Sequence, residues 1–587
     1  MQPNCSPMLE ERRHAIVRNR THGRNRENST GDQRTMLPVF DFDGKASPCR
    51  EACPAGHDIA HALHLVQRGD FAAAWELLRE ESPFPSITGR VCYHSCEESC
   101  NRKDHDAPLA IAALERAIAE YGDSAVTTCP VAHPDQPVAV VGSGPAGVTA
   151  AYHLVRLGYP VTMFERDDLP GGALRYGIPR YRLPARVLDE EFGRLAAMGV
   201  VLRTGVAIGR DVSWEELESG WRAIFLGVGL GGARALAAPG VDEVGATSGL
   251  AFLRAASTGE INSLAGDVAV IGGGDVAIDV VRSAMRLGAG AVHLFCLESR
   301  ETMPAHPEEI RQAEREGLLL NPAWAIERIG RASDGRIRIA FRGVARLEEG
   351  LRPILDARRM EATVDHLVVA IGQEAQIDWL PPALRSSGRV AVDLAARVVS
   401  TRVVPNVFAG GDIAGTYNVV QAIGAGKRAA IGIDCHLQGR DPLVWIERAH
   451  VGVKGTVSMR RYREALAGLC GGGIGAVVRI ERVNLDYFAE EERCERPELP
   501  IARRQGFVEV NGGLAREDAV AEANRCFVCA ACTICGNCFV YCPDSAVVQR
   551  EDGYFAIDVD HCKGCGQCVH ECPRAAMTMV LEKEALG

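Results

Sequence analysis

The residues with the clearest chemistry are cysteines. Of the 21 in the chain, fifteen fall into three tight groups: Cys49 and Cys53; Cys92, Cys96 and Cys100; and a run from Cys526 to Cys572. Disulfide frameworks scatter cysteines through small secreted domains, whereas gaps of two or three residues are metal-ligand spacing. The last group reads Cys532-x2-Cys535-x2-Cys538-x3-Cys542-Pro543 and then Cys562-x2-Cys565-x2-Cys568-x3-Cys572-Pro573. In this two-cluster pattern the fourth cysteine of each run ligates the other cluster. One [4Fe–4S] cluster is therefore expected on Cys532, Cys535, Cys538 and Cys572, and another on Cys562, Cys565, Cys568 and Cys542. Zinc is a poor alternative for two full repeats that each end in Cys-Pro. Cys526 and Cys529 extend the spacing upstream but fall outside that register; spare thiols, a small extra metal site and alternate ligands are all open. The isolated Cys5, Cys129, Cys296, Cys435, Cys470 and Cys494 are expected to be ordinary thiols.

Glycines form the second chemical signal. Val138-Ala-Val-Val-Gly142-Ser-Gly144-Pro145-Ala146-Gly147 is an apolar strand entering a G-x-G-x-x-G turn and a helix, and the next strand, Val161-Thr-Met-Phe, ends in Glu165. Such glycines let backbone approach a pyrophosphate at a helix N-terminus, and the acid takes ribose hydroxyls. A second unit, Val268-Ala-Val-Ile-Gly272-Gly-Gly274-Asp275-Val276-Ala277, is followed by the strand Ala291 to Glu298. Two dinucleotide folds in one chain imply one flavin and one nicotinamide, whose rings must meet in a single cleft. No C-x-x-C lies in the second fold, so a thioredoxin-reductase-type disulfide relay is unavailable and iron–sulfur clusters are the natural acceptors.

On these features the chain, from about residue 37 to its end, resembles the glutamate synthase small-subunit family, with the related modules of dihydropyrimidine dehydrogenase and of the NADH-dependent ferredoxin:NADP oxidoreductase large subunit. Further carriers are Gly171-Gly172-Ala-Leu-Arg-Tyr-Gly-Ile-Pro179, Arg182-Leu-Pro184, Phe225-Leu-Gly-Val-Gly229, Met303-Pro-Ala305, Val369-Ala370-Ile-Gly372, Phe408-Ala-Gly-Gly411-Asp412-Ile413 and Ala422-Ile-Gly-Ala-Gly-Lys427. The resemblance implies FAD on the first fold and NAD(P)H on an inserted second fold, with Gly172, Arg182, Ala370 and Gly372 among the cofactor-binding residues. It puts Asp412 at the ribityl or pyrophosphate part of FAD and aims the helix starting near Ala422 at the isoalloxazine, where its dipole favours reduced flavin. NADPH-using members commonly carry Tyr-Arg-Arg after the second-fold strand, where this chain has Cys296-Leu297-Glu298. An acid there bonds ribose hydroxyls and repels a 2′-phosphate, so NAD(H) is expected in preference to NADP(H), with Arg300 close enough to soften the choice.

The segment Pro83-Phe-Pro-Ser-Ile-Thr-Gly-Arg-Val-Cys92 and Ala110-Ile-Ala-Ala-Leu-Glu115-Arg resemble that family's N-terminal cluster domain. Two-cluster relatives carry further cysteines upstream of the position of Cys49, and none lies between residues 6 and 48 here. One N-terminal [4Fe–4S] cluster is thus expected, on Cys53, Cys92, Cys96 and Glu115, the last at a site where relatives place Gln or Glu. Cys49 and Cys100 would be remnants of a lost second cluster. In the competing sets Cys49 or Cys100 replaces Glu115, and zinc or bare thiols form a wholly structural alternative. Between the two cysteine groups, one helical stretch from about Asp58 to Glu81 is expected to bury Ile59, Leu63, Val66, Ala73 and Leu77.

At 587 residues, 47% hydrophobic and 24% charged, the chain has ordinary globular composition and is too long for one core. A net charge of −11 argues against nucleic-acid binding, and no apolar run is long enough to span a membrane. The expected architecture is multidomain α/β: a disordered basic tail (1–36), a helical N-terminal Fe–S domain (37–128), an FAD domain in two parts (129–247 and 376–440) enclosing an NAD(P)H domain (248–375), a linking segment (441–525) and a ferredoxin-like α+β domain (526–587). The two nucleotide domains are nested Rossmann-like folds. No Ser-His-Asp, Cys-His or paired-carboxylate site for an organic substrate is evident, and no catalytic side chain is assigned. The expected function is electron exchange between NADH and a ferredoxin or a larger partner such as a 2-oxoacid:ferredoxin oxidoreductase, within a cytoplasmic hetero-oligomer. The alternatives are a glutamate synthase small subunit, against which the appended two-cluster domain stands, and a non-catalytic electron wire, against which the intact glycine turns stand.

Overall fold

The computed structural model describes residues 16–17, 36–40, 44–122, 126–400, 405–469 and 472–582. Short helices dominate the N-terminal region: Pro48–Ala52, Ile59–Gln67, Phe71–Arg79, Pro85–Val91, Ser95–Glu98 and Ile111–Tyr121. The helical stretch expected between Asp58 and Glu81 consists of two helices, Ile59–Gln67 and Phe71–Arg79. The chain breaks at Gly69, whose φ of 76° is left-handed, and restarts with Asp70 accepting from the Ala73 N–H. The break rotates the buried stripe, so Ala74, Trp75 and Leu78 fill the core where Ala73 and Leu77 were expected; Ile59, Leu63 and Val66 are buried.

Two parallel sheets follow. The first runs Val407–Ala409, Ala223–Leu226, Val138–Val141, Val161–Phe164, Val201–Arg203. Its edge strand Val407–Ala409 comes from far downstream, so one domain is built from two chain segments. Between them lies the second sheet, ordered Leu319–Asn321, Val292–Phe295, Val268–Ile271, His366–Val369, Thr247–Ser248. The strands Val138–Val141 and Val268–Ile271 are buried end to end, as central parallel strands covered on both faces must be. A three-stranded antiparallel sheet (Trp324–Arg331, Ile337–Glu348, Arg352–Val364) closes the second domain, with Phe341 stacked on Phe295 at 4.3 Å.

The C-terminal domain pairs Val547–Gln549 with Phe555–Asp558, and its last strand Met577–Leu581 pairs antiparallel with Met36–Phe40. Met36–Phe40 therefore pairs into the ferredoxin-like domain, whereas Met36 was expected in the disordered tail and Leu37 to Phe40 in the helical domain. Ile16–Val17, expected within a disordered tail, forms a two-residue parallel strand beside Ile557–Asp558; apart from Met36, the rest of that tail lies outside the described residues. The core of this small domain is Phe40, Val547, Phe555, Ile557 and Met577 with Cys538 and Cys568, and the partly buried Cys542, Cys562 and Cys572 pack against it.

The segment expected as a simple link carries the helices Pro442–Ala449, Met459–Leu466 and Arg516–Asn524. Arg504 donates to Gln312 and Glu316 of the second nucleotide domain, the Val510 N–H to Tyr181 of the first, and Arg90 of the helical domain to Glu509. It is a strap across three domains. Among the described residues no helix is long and apolar enough to cross a membrane.

Candidate functional site: two nucleotide cradles and their cysteine clusters

In the first cradle the buried strand Val138–Val141 ends at Gly142, with φ 98°, where a Cβ would lie 2.5 Å from the Gly227 carbonyl oxygen. At Gly147 a Cβ would lie 1.9 Å from the Gly142 carbonyl, so the helix Pro145–Arg156 packs directly on the turn. Gly144 is the opposite case: the nearest atom to its Cβ position is 3.9 Å away, which leaves the helix N-terminus open to a phosphate. Glu165 accepts from the Ser143 N–H at 3.0 Å and from the Ser143 hydroxyl, which itself accepts from the Gly171 N–H at 2.8 Å. This arrangement folds Gly172 over the Gly144 backbone, with a Cβ position 3.3 Å from the Gly144 Cα. Gly411 sets its Cβ position 3.0 Å from Ala146 and brings Asp412 to the same turn. Burial raises the Asp412 carboxyl above its ordinary range, while Thr416, donating at 3.0 Å, and Arg389 oppose that rise. Asn418 caps the helix Val419–Leu437, and this helix lies so close to Pro145–Arg156 that a Cβ on Gly426 would meet the Ala146 carbonyl at 2.3 Å. Ala422 sits in its first turn.

The second cradle repeats the pattern. Gly272, at φ 138°, would bring a Cβ within 2.2 Å of the Ala370 carbonyl, and Gly274 has nothing within 4 Å of its Cβ position. Asp275 accepts from the His306 N–H at 2.8 Å, Val276 approaches the Gly249 position, and Ala277 is fully buried beneath the turn. Gly372, at φ 123°, lies beside the Arg234 guanidinium. Glu298 reaches back over the turn, its Oε2 2.8 Å from the Cβ position of Gly273, and is only 9% exposed. Arg300 is paired with Glu314 through two hydrogen bonds of 3.0 Å. Both turns have the open backbone, the helix N-terminus and the acid that a dinucleotide needs, so the residues fit the two cofactors.

Arg182, expected at a cofactor, is placed elsewhere. Its guanidinium donates to both oxygens of Asp279 at 3.0 and 2.9 Å and lies 3.5 Å from Glu309. It ties the first nucleotide domain to the second.

In the C-terminal domain two cavities sort the cysteines. One is lined by Cys532, Cys535, Cys538 and Cys572, the other by Cys542, Cys562, Cys565 and Cys568. The exchange of fourth residues expected from the Cys-Pro register is thus present in the fold. N–H groups point at these sulfurs, from Ala546 to Cys542 at 3.2 Å, Ala576 to Cys572 at 3.3 Å and Gly564 to Cys562 at 3.4 Å. Such donors are what cluster thiolates require.

At the N-terminal group, Cys53, Cys92 and Cys96 lie close enough to feel one another's charge. Burial pushes the Cys53 thiol up to about 11, with Cys92 and Glu115 adding to the rise. Glu115 is buried beside them, and its carboxylate accepts from Thr88 at 2.7 Å and faces His57 and His94, each at 3.1 Å. Burial would raise this carboxyl, but His57 and His94 draw it down to about 2. The two histidines were not singled out in the sequence; His94, inside Cys92-Tyr-His-Ser-Cys96, was the available signal.

This group abuts the first cradle. A Cβ on Gly424 would lie 2.5 Å from the carbonyl of Pro54, the residue after Cys53. One turn on, the fully buried Lys427 donates to the Ala55 carbonyl and to Glu81 at 2.5 Å. The helix that starts at the flavin cradle thus ends its first turns against the N-terminal cysteine loop.

Fold and site together define a FAD-dependent NAD(P)H oxidoreductase with iron–sulfur domains at both ends. Residues 136–429 match the model of the pyridine nucleotide-disulphide oxidoreductase family, residues 42–126 that of dihydropyrimidine dehydrogenase domain II with its 4Fe-4S cluster, and residues 531–577 that of the 4Fe-4S dicluster domain. The chain belongs to the pyridine nucleotide-disulphide oxidoreductase family. It is 34% identical over 517 residues to the NADP(+)-dependent formate dehydrogenase subunit beta of Moorella thermoacetica, covering 82% of this chain and 70% of that one. It is 29% identical over 531 residues to the NADPH-Fe(3+) oxidoreductase subunit beta of Geobacter sulfurreducens, covering 83% and 76%. With the NAD-dependent dihydropyrimidine dehydrogenase subunit PreT of Escherichia coli it shares 31% over 402 residues, covering 67% and 92%.

Proposed function

We propose that the chain is the NADH-linked electron-transfer subunit of a larger complex, exchanging electrons between NAD(H) and a ferredoxin or a partner oxidoreductase. When bound, the nicotinamide and flavin supply two-electron hydride transfer, and [4Fe–4S] clusters carry the electrons singly. The chain's own residues provide the rest. The turns at Gly142–Gly147 and Gly272–Ala277 seat the two pyrophosphates, Asp412 and the N-terminus of Val419–Leu437 face the flavin, and Glu165 and Glu298 receive ribose hydroxyls. Cys53, Cys92, Cys96 and Glu115 hold the cluster next to the flavin helix, and the two C-terminal sets lead to the partner.

The observation that carries this reading is the contact of Gly424 with Pro54, which puts a cysteine loop against the flavin helix in a chain without a redox C-x-x-C in its nicotinamide domain. The preference for NADH rests on Glu298, held over the glycine turn, and on Arg300, engaged by Glu314. NADPH is the second reading, favoured by the names of the Moorella and Geobacter relatives; the Escherichia coli relative is named for NAD. The same names offer a formate dehydrogenase and a dihydropyrimidine dehydrogenase as the kind of complex to which such a subunit belongs. The test is anaerobic reduction of benzyl viologen by NADH with the isolated chain, together with identification of what co-purifies with it. FAD-loaded protein that reduces no dye with either nicotinamide would overturn the reading in favour of a passive wire.

A further inference from the structure

Four cysteines without a role in the function above come together in the fold. Cys49 and Cys100 belong to the helical domain, and Cys526 and Cys529 follow the strap helix Arg516–Asn524. All four are buried, at 9%, 8%, 7% and 9% exposure, and none of them forms a disulfide. The strap is fastened at this point: Gln67 donates to the carbonyls of Ala523 and Cys526, Arg102 to the carbonyl of Arg525, and the Ala110 N–H to Glu522. Asn101, next to Cys100, donates to the Cys529 sulfur at 3.4 Å. Ser47, whose hydroxyl lies 3.1 Å from the Cys49 sulfur, lines one cavity with Cys529. The four lie within electrostatic reach of one another: Cys49 of Cys100 and Cys526, Cys526 of Cys529 and Cys100, and Cys529 of Cys49 and Cys100.

Every one of these sulfurs has a hydrogen-bonding partner. Ser47 lies 3.1 Å from Cys49, the backbone N–H groups of Leu109 and Arg102 serve Cys100, Val528 donates to Cys526 at 3.3 Å, and Asn101 serves Cys529. A neutral thiol is a weak acceptor, so four buried sulfurs supplied in this way form a setting for thiolates. Arg525 lies near Cys100 and Arg574 near Cys526, cations that offset such charge.

The Cys526–Cys529 turn also has the backbone of a cluster loop. Val528 has φ 50°, a left-handed conformation that is a genuine outlier for a β-branched residue. Ile534, in Cys532-Thr-Ile-Cys535, has φ 56°, and Gly564, in Cys562-Lys-Gly-Cys565, has φ 71°. In all three turns that residue's N–H points at the sulfur two positions before it. Size separates a cubane from a single ion. Tetrahedral zinc at about 2.3 Å from each sulfur holds the sulfurs about 3.8 Å apart. Among the described residues no three Cys, His, Asp or Glu side chains close on one ion, and this holds equally for the sets inside the 4Fe-4S dicluster domain.

We infer that Cys49, Cys100, Cys526 and Cys529 ligate a fourth [4Fe–4S] cluster, built jointly by the helical domain and the strap. Cys49 and Cys100 are then working ligands, not remnants, and Cys526 and Cys529 are not spare thiols. The competing ligand sets for the N-terminal cluster lose their extra cysteine, which leaves Glu115 as its fourth residue. The site stands between the N-terminal cluster and the ferredoxin-like domain, where a relay between them has to pass.

The experiment is iron and acid-labile sulfide per FAD in anaerobically reconstituted full-length protein, with zinc measured alongside. About sixteen irons are expected, four for each of four cubanes. Cys526→Ser/Cys529→Ser, and separately Cys49→Ser/Cys100→Ser, should each lose about four of them while FAD stays stoichiometric. A wild-type count near twelve, one zinc per chain in place of four irons, or iron unchanged in both variants that retain FAD, overturns the assignment. The wild-type count decides the matter even where a variant does not fold, and a count near twelve with bound FAD leaves the proposed function standing.

Discussion

Replacing Glu298 with glutamine keeps the shape that packs over Gly273 and removes the charge. A hydrogen bond from a ribose hydroxyl to a charged acceptor contributes about 1.5–3 kcal/mol. At 1.36 kcal/mol per factor of ten, its complete loss would lower kcat/KM for NADH by about ten- to 150-fold. Glutamine keeps a neutral acceptor, so about tenfold is expected. For NADPH the sign is opposite. A 2′-phosphate about 4 Å from a carboxylate is repelled by about 1 kcal/mol per unit charge in bulk water and about 4 kcal/mol at an effective dielectric of 20. Because Glu298 is 9% exposed, the upper part of that range applies, and relief of the repulsion should raise kcat/KM for NADPH at least tenfold. Glu298→Arg adds attraction to the relief and should move the ratio further the same way. The assay is anaerobic steady-state reduction of benzyl viologen with each nicotinamide, normalised to bound FAD. An NADH-to-NADPH ratio that stays within twofold of the parent in both variants would refute the reasoning, and a parent that already prefers NADPH would show that Glu298 does not read the ribose.

Lys427 is fully buried with Glu81, which also accepts from the Ser458 hydroxyl and the Met459 N–H. Lys427→Met strands that carboxylate and should cost about 3–5 kcal/mol. Adding Glu81→Gln should restore part of the loss, read as FAD release in anaerobic denaturant titrations. Glu316 is held by Arg282, Arg286 and Arg504. Burial would raise its carboxyl, but the arginines draw it from 4.5 down to about 2. Its folded value lies below its unfolded one, so the stabilisation, at most about 3 kcal/mol, is complete above about pH 5 and disappears as pH falls toward 2. Glu316→Gln should therefore be less stable than the parent at pH 7, with a gap that narrows below pH 5, measured by hydrogen exchange over residues 307–321. Cys572→Ser should remove the cluster of the Cys532 set and Cys542→Ser that of the Cys562 set. Mössbauer spectra that place either loss in the other set would contradict the exchanged ligation.

Local chemistry was legible in the linear chain. The Cys-Pro endings set the register of the two C-terminal cavities, because three cysteines of each come from one short loop. The glycine turns were equally plain, since at Gly142 a Cβ would fall 2.5 Å from the Gly227 carbonyl oxygen and no side chain is tolerated. The insertion of one nucleotide fold in the other was legible only through the family resemblance, since the returning Gly410-Gly411-Asp412 segment by itself reads as a turn. Arg182 shows the limit: the resemblance put it at a cofactor, and its pairing with Asp279 depended on how two domains dock.

What only the tertiary structure decided concerns partners far apart along the chain. Met36–Phe40 reads as the junction of a disordered tail and the helical domain until its pairing with Met577–Leu581 is seen, because strand pairing leaves no local mark. Cys49, Cys100, Cys526 and Cys529 are likewise uninformative as two separate pairs. Spacing encodes a ligand set only when one loop supplies it. A site closed by a strap that returns across three domains is specified by packing, through the burial of Ala519 and Ala523 and the hydrogen bonds of Gln67 and Arg102, and no motif carries that.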